Sequence, residues 1–106
     1  SYMKGRLDDH YLEYTNQIPS LTKMPSEYMD EQFYFTSQPL ELLGNDPRRM
    51  AMTIELAGAD SIMYSSDIPH GDWDPPEELF RPICGHFDDA TLKGIMGETA
   101  AELYGI

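Results

Sequence analysis

The sequence predicts an α/β fold with parallel strands that is incomplete by itself. Three observations predict it. A well-punctuated helix, Asp46 to Gly58, separates two short apolar stretches in the order strand, helix, strand. The second stretch, Ser61-Ile62-Met63-Tyr64, is too short for a helix and runs into Ser65-Ser66-Asp67-Ile68-Pro69-His70, which puts a carboxylate where a buried strand ends. The helices carry apolar residues on one side only, as the outer layer of a larger α/β architecture does.

Met3, Leu7, Tyr11, Tyr14 and Ile18 recur at helical spacing, with Lys4, Arg6, Asp8, Asp9 and Glu13 on the other faces, so the chain opens with an amphipathic helix stopped by Pro19. No capping signal precedes it, which leaves truncation, processing upstream and a separately encoded subunit open as readings. Beyond the polar linker Ser20 to Lys23, Pro25-Ser26-Glu27-Tyr28 reads as a helical turn capped by Ser26. Gln32-Phe33-Tyr34-Phe35-Thr36-Ser37 reads as an aromatic-rich strand ended by Pro39.

Asp46-Pro47 is a cap followed by proline at the first helical position, Met50, Ala51, Ile54 and Ala57 form an apolar stripe, and Gly58 terminates the helix. With strands on either side, a right-handed βαβ crossover and parallel pairing follow. Gly71 to Pro76 is a loop in which Asp74-Pro75 starts a helix through Glu77-Glu78-Leu79-Phe80, broken early by Pro82 and Gly85. Asp88 caps a last helix through Leu92, Ile95 and Met96. Gly97 interrupts it before Ala100, Leu103 and Tyr104.

At 106 residues, 41% of them hydrophobic, the chain has about the length and composition of one folded domain. Seven Lys and Arg against 19 Asp and Glu give a net charge of −12, which disfavours a nucleic-acid partner and an anionic membrane surface. The one cysteine, Cys84, cannot close an intrachain disulfide, and no Cys/His spacing marks a structural zinc site. With no run of transmembrane length and no charged-then-apolar leader, cytoplasmic residence is expected. Two strands leave two bare sheet edges, so further strands are expected elsewhere and these residues read as the end of a barrel.

Gly5-Arg6-Leu7-Asp8-Asp9-His10-Tyr11, Pro25-Ser26-Glu27-Tyr28, Thr36-Ser37-Gln38-Pro39-Leu40-Glu41, Ser65-Ser66-Asp67-Ile68-Pro69-His70 and Ala100-Ala101-Glu102-Leu103-Tyr104-Gly105 occur together in one order. In these the chain resembles the C-terminal part of the amidohydrolase-related family, which includes aminocarboxymuconate-semialdehyde decarboxylase and metal-dependent hydrolases. The resemblance spans nearly all 106 residues. It implies the last two βα units of a (β/α)8 TIM barrel, a C-terminal βαβα portion with the strand near Phe33 to Thr36 as the seventh and that near Ser61 to Ser66 as the eighth.

The resemblance further implies that Asp67 is both a metal ligand and a catalytic residue, and that His70 lies beside the substrate pocket. The cofactor implied is a divalent metal ion, zinc first, manganese or another divalent ion next. A carboxylate there can ligate the ion and accept a proton from the water or substrate that the ion activates. Hydrolysis of a small organic substrate is preferred slightly to non-oxidative decarboxylation. A His-x-His on an early strand and the histidines of middle strands are missing from this chain. The implied partner is the remainder of the barrel, an N-terminal polypeptide that carries them, in an enzyme expected to be oligomeric. The alternative is a non-catalytic structural subunit that completes or stabilises a partner barrel.

Each candidate has a plainer reading. Asp67 and His70 can serve only the turn, Asp67 as a turn or capping aspartate and His70 by hydrogen-bonding the loop into shape. Gln38 can point toward substrate but is better read as satisfying its loop. Trp73 is better read as a packing anchor than as a pocket cover. His10 and His86 read as surface or capping residues, the methionines Met3, Met50, Met63 and Met96 as core, and Asp72, Asp74, Glu77 and Glu78 as a solvated helix start.

Overall fold

The computed structural model describes residues 2–39 and 46–106. Leu40 and Glu41 of the third motif lie outside the described residues. The chain divides into two units, Ser1–Phe33 and Tyr34–Ile106.

In the first unit, helix α1 spans Tyr2–Glu13, a short 3₁₀ turn follows at Thr15–Gln17, and helix α2 spans Pro25–Gln32. The regular helix therefore stops well before Pro19. Thr15 and Asn16 are poor helix formers whose side chains compete for backbone groups, and the tighter turn takes their place. Neither helix buries a residue. Met3, Leu7, Tyr14 and Ile18, expected to pack as one stripe, are exposed.

Polar contacts connect the two helices. The Ser26 N–H donates to Asp8 Oδ1 at 2.8 Å, and Lys4 pairs with Asp30. Ser26 is thus not the cap of α2: Met24 holds that position and Pro25 is the first helical residue. The Met24 N–H is satisfied by Glu27 Oε2 at 2.7 Å, while the carboxylate of Asp8, a residue of α1, serves one of the orphan N–H groups at the start of α2.

The second unit contains the sheet. Strand β1 is Phe35–Thr36 and strand β2 is Ile62–Met63, paired in parallel with Phe35 opposite Ile62 and Thr36 opposite Met63. β1 is shorter than expected because the helical pattern extends through Gln32, with the Phe33 N–H still bonded to the Met29 carbonyl at 3.0 Å. Between the strands lies helix α3, Pro47–Ala57. Its cap Asp46 accepts from the Arg48 N–H, and Gly58, at φ 103°, takes the left-handed backbone that ends the helix. The strand, helix, strand order and the parallel pairing are as the sequence predicts.

Helix α4 spans Pro76–Ile83, α5 spans Asp89–Lys93, a π-helical segment spans Gly94–Glu98, and α6 spans Thr99–Tyr104. Two details differ from expectation. Pro75, not Asp74, stands at the cap of α4, and the helix runs through Pro82. A proline removes only its own N–H, while Leu79 and Ile83, four residues apart and both buried, hold the turn on the core. Asp88 caps α5 by accepting from the Thr91 N–H, and Gly97 leaves helical geometry as the pattern requires. α6 buries nothing, with Leu103 and Tyr104 exposed.

Met50, Ile54, Ile62, Leu79, Ile83, Leu92 and Ile95 form the core, with Phe35, Tyr64, Phe87 and Met96 packed against it. Each fully buried aliphatic side chain contributes about 1.5–3 kcal/mol. Ile62 and Met63 are both buried, and successive strand residues face opposite sides, so β2 is covered on both faces in the manner of a parallel sheet. The Tyr64 N–H, beyond the strand, donates to the Ile95 carbonyl of the π-helical segment at 2.7 Å. Among the described residues no helix is long and apolar enough to cross a membrane.

Candidate functional site

Parallel strands end on the same side, so the residues after β1 and those after β2 meet at one lip of the sheet. Ser37 joins them. It is the one polar side chain among the buried described residues, 5% exposed, and its Oγ accepts from the Ser65 N–H at 3.0 Å while its own N–H donates to the Met63 carbonyl at 2.8 Å. The hydroxyl thus extends the pairing by one step where the backbone ladder has ended.

The following loop is tied back at its base. Asp74 donates its N–H to the Ser66 carbonyl at 2.9 Å, and its own carbonyl accepts from the Tyr64 hydroxyl at 2.7 Å. Gln38 Nε2 donates to the Asp72 carbonyl at 3.2 Å. Gln38 therefore braces the loop, in line with its plainer reading. Trp73, 48% exposed, stands outside the core and is not the packing anchor expected. Glu77 and Glu78 lie in the first turn of α4, exposed, where acidic groups complement the helix dipole.

Asp67 leads this loop and has the one positive φ, 58°, among the described residues other than glycine. Aspartate tolerates the left-handed region better than most residues, but the conformation still costs energy and must be held by its surroundings. The His70 N–H holds it by donating to the Asp67 carbonyl at 2.8 Å, closing a four-residue turn with cis-Pro69 at its third position. The same histidine also reaches the side chain: Nδ1 lies 2.8 Å from Asp67 Oδ1.

The structure thus brings together the two predicted site residues. Asp67 is 36% exposed and His70 is 70% exposed at the side chain, so both are open to solvent at the lip. The hydrogen bond that His70 donates to the Asp67 carboxylate raises the His70 pKa, and the charges of Asp67 and Asp72 add to it. His10 and His86 do not join them: His10 is exposed on α1 with its ring stacked on Tyr14, and His86 sits in the turn after α4.

Asp67 offers the hard oxygen donor that divalent ions take, from a position fixed at both backbone and side chain. A single carboxylate is nonetheless one donor. Among the described residues no three His, Cys, Asp or Glu side chains come together to hold a metal ion.

Residues 2–106 match the family model described as amidohydrolase. The chain belongs to the amidohydrolase family. Amidohydrolases generally use divalent metals, and the mixed helical and parallel-strand architecture found here suits such an α/β enzyme. No curated protein matches the chain.

Sequence reasoning does not single out Ser37 as a site-shaping residue, although its place after a strand is legible. What cannot be read is that its hydroxyl is buried against a segment 28 residues away. The left-handed backbone of Asp67 also escapes it; the signal is the aspartate two residues before a proline at a strand end.

Proposed function

We propose that this amidohydrolase chain is the C-terminal portion of a (β/α)8 barrel, its last two βα units, and that it contributes Asp67 to a divalent metal site, with zinc as the preferred ion. The observation that carries the reading is Asp67 itself. It is a carboxylate in the loop four residues beyond the buried parallel strand β2, held in a left-handed conformation and hydrogen-bonded by His70. Such placement is where barrel enzymes do chemistry, and backbone strain is retained where surrounding contacts and function require it.

The remaining donors come from outside this chain, from the histidines of the rest of the barrel. When bound, the ion supplies Lewis-acid polarisation and acidifies water near neutral pH. The part of this chain is to hold Asp67 as a donor and, through the same carboxylate, to take up a proton from the reacting water or substrate. His70, at the open lip, faces the substrate side. Hydrolysis of a small organic substrate is preferred to decarboxylation, in an oligomeric enzyme of the cytoplasm.

The test is Asp67→Asn in the native protein together with whatever chain completes it. Loss of bound metal and of turnover with unchanged assembly is expected. Unchanged metal and turnover would instead make the chain a structural element of the barrel.

A further inference from the structure

A helix dipole favours acids at the start of the helix and cations at its end, and α1 has the reverse. Lys4 stands in its first turn and Arg6 just beyond, no acid occupies that first turn, and Glu13 is its last residue. Lys4 is used within the unit, paired with Asp30 of α2. Arg6 and Glu13, both exposed, make no ion pair among the described residues. They flank the stripe Met3, Leu7, His10 and Tyr14, whose spacing of four, three and four is the seam pattern of a two-helix coiled coil and puts Arg6 and Glu13 at equivalent flanking positions. Tyr14 continues the pattern one residue past the helix, its N–H bonded to the His10 carbonyl at 2.9 Å and its ring stacked on that of His10. All four seam residues are exposed.

We infer that this face of α1 is a self-association surface whose partner is α1 of a second copy of the chain, running antiparallel. A two-fold axis perpendicular to the helices reverses their direction and brings the same flank of each together. Met3 of one copy then lies opposite Tyr14 of the other, Leu7 opposite His10, and Arg6 opposite Glu13 on the shared flank, twice over. Flanking charges of this kind set partner and orientation in helix pairs. Parallel pairing has no such match, because it sets the basic half of each helix beside the basic half of the other. The antiparallel neighbour also offsets the mismatch with the dipole, since each Glu13 meets the start of a helix and each Arg6 approaches the end of one.

Self-complementarity decides the occupant. A net charge of −12 on each copy opposes association through any face of one sign, so a surface shared by two copies must carry both signs in an order that matches when reversed. α1 has that order, with Lys4 and Arg6 before Asp8, Asp9 and Glu13. Its own partner leaves the face open: α2 is bonded through Lys4 and Asp8, on the side of α1 away from Arg6 and Glu13. The seam is short, so the dimer is weak and dilute protein is monomeric. None of this draws on Asp67.

The experiment is sedimentation velocity over a concentration series reaching about 1 mM, on the native protein, Arg6→Glu, Glu13→Arg and the double variant carrying both. The expected result is a dimer that grows with concentration in the native protein. Each single reversal sets like charges against each other twice per dimer and should weaken association by about 10–30-fold. The double variant keeps the pair with its signs exchanged and should recover the native constant. Both reversals suit the dipole of α1 better than the native charges do, so a weaker dimer with undiminished helicity in circular dichroism cannot come from a melted helix. A native protein that stays monomeric throughout the series overturns the inference. A dimer indifferent to both single reversals assembles through another face, the stripe being covered by a different chain or left bare, and overturns it as well. So does a double variant as weak as the single ones.

Discussion

The two units of this chain are stabilised by different means. Tyr34–Ile106 encloses an apolar cluster drawn from α3, β2, α4, α5 and the π-helical segment, and positions Asp67 on the sheet that this cluster supports. Ser1–Phe33 encloses nothing: α1 and α2 bury no residue, and they are joined by charged and polar contacts, Asp8 to Ser26, Lys4 to Asp30 and the Tyr11 hydroxyl to the Leu21 carbonyl. An amphipathic helix in water gains little from its apolar face until something covers it. The difference teaches that the family motifs of the first unit are not self-sufficient as a folded core, whereas the strand carrying Asp67 is supported within its own unit.

Truncations of apolar side chains should separate the two most sharply. Ile54→Ala, at a fully buried site in α3, should cost about 2–5 kcal/mol in chemical denaturation, whereas Leu7→Ala on α1 should stay within about 0.5 kcal/mol. Comparable losses at both positions would mean that α1 is packed as tightly as α3.

Ser37→Ala sharpens the comparison at the lip of the sheet. It leaves the Ser65 N–H without its 3.0 Å acceptor, at a cost of about 1–3 kcal/mol, visible as a lower denaturation midpoint. In the first unit, Asp8→Ala should act through one N–H group. Removing this surrogate cap should destabilise α2 by about 0.5–2 kcal/mol, with faster amide exchange at Ser26 and little change at α3.

The smallest effects concern pH. The Asp88 pKa is lowered by the Thr91 N–H and that of Asp46 by Arg48, so each favours folding above its unfolded value and loses that contribution as pH falls through its folded value. The Asp46 shift has the Arg48 guanidinium as its first cause and the Arg48 N–H as its second. His70 works in the opposite direction. Its pKa is raised, so the charged form of its pairing with Asp67 contributes fully to stability below the ordinary value of 6.5, and that contribution is lost as pH rises through the raised one. Thermal melts across pH should therefore show Asp88→Ala flattening the acid limb and His70→Asn flattening the limb above neutrality.

Much of the second unit is legible because its signals are local. Asp46-Pro47 and Gly58 mark the ends of α3, Met50 and Ile54 mark its buried face, and the order of short apolar runs around it leads to parallel pairing. Asp67 is legible for the same reason, as the acidic residue where an apolar run stops. The first unit is less so. Periodicity identifies α1 but not whether its stripe is covered, and Ser26 looks like a cap because the Asp8 carboxylate that serves α2 lies 18 residues earlier. Pro82 looks like a breaker because the burial of Leu79 and Ile83, which holds the turn around it, is a tertiary fact. The bond from His70 to Asp67 depends on a turn whose left-handed first residue no periodicity reports.

The role of Asp67 as a metal donor is tested most directly by anomalous diffraction at the zinc absorption edge, on crystals of the zinc-loaded native protein. A peak about 2.0–2.2 Å from a carboxylate oxygen of Asp67 is the predicted result. A zinc peak elsewhere, with the Asp67 carboxylate turned to solvent, would contradict it.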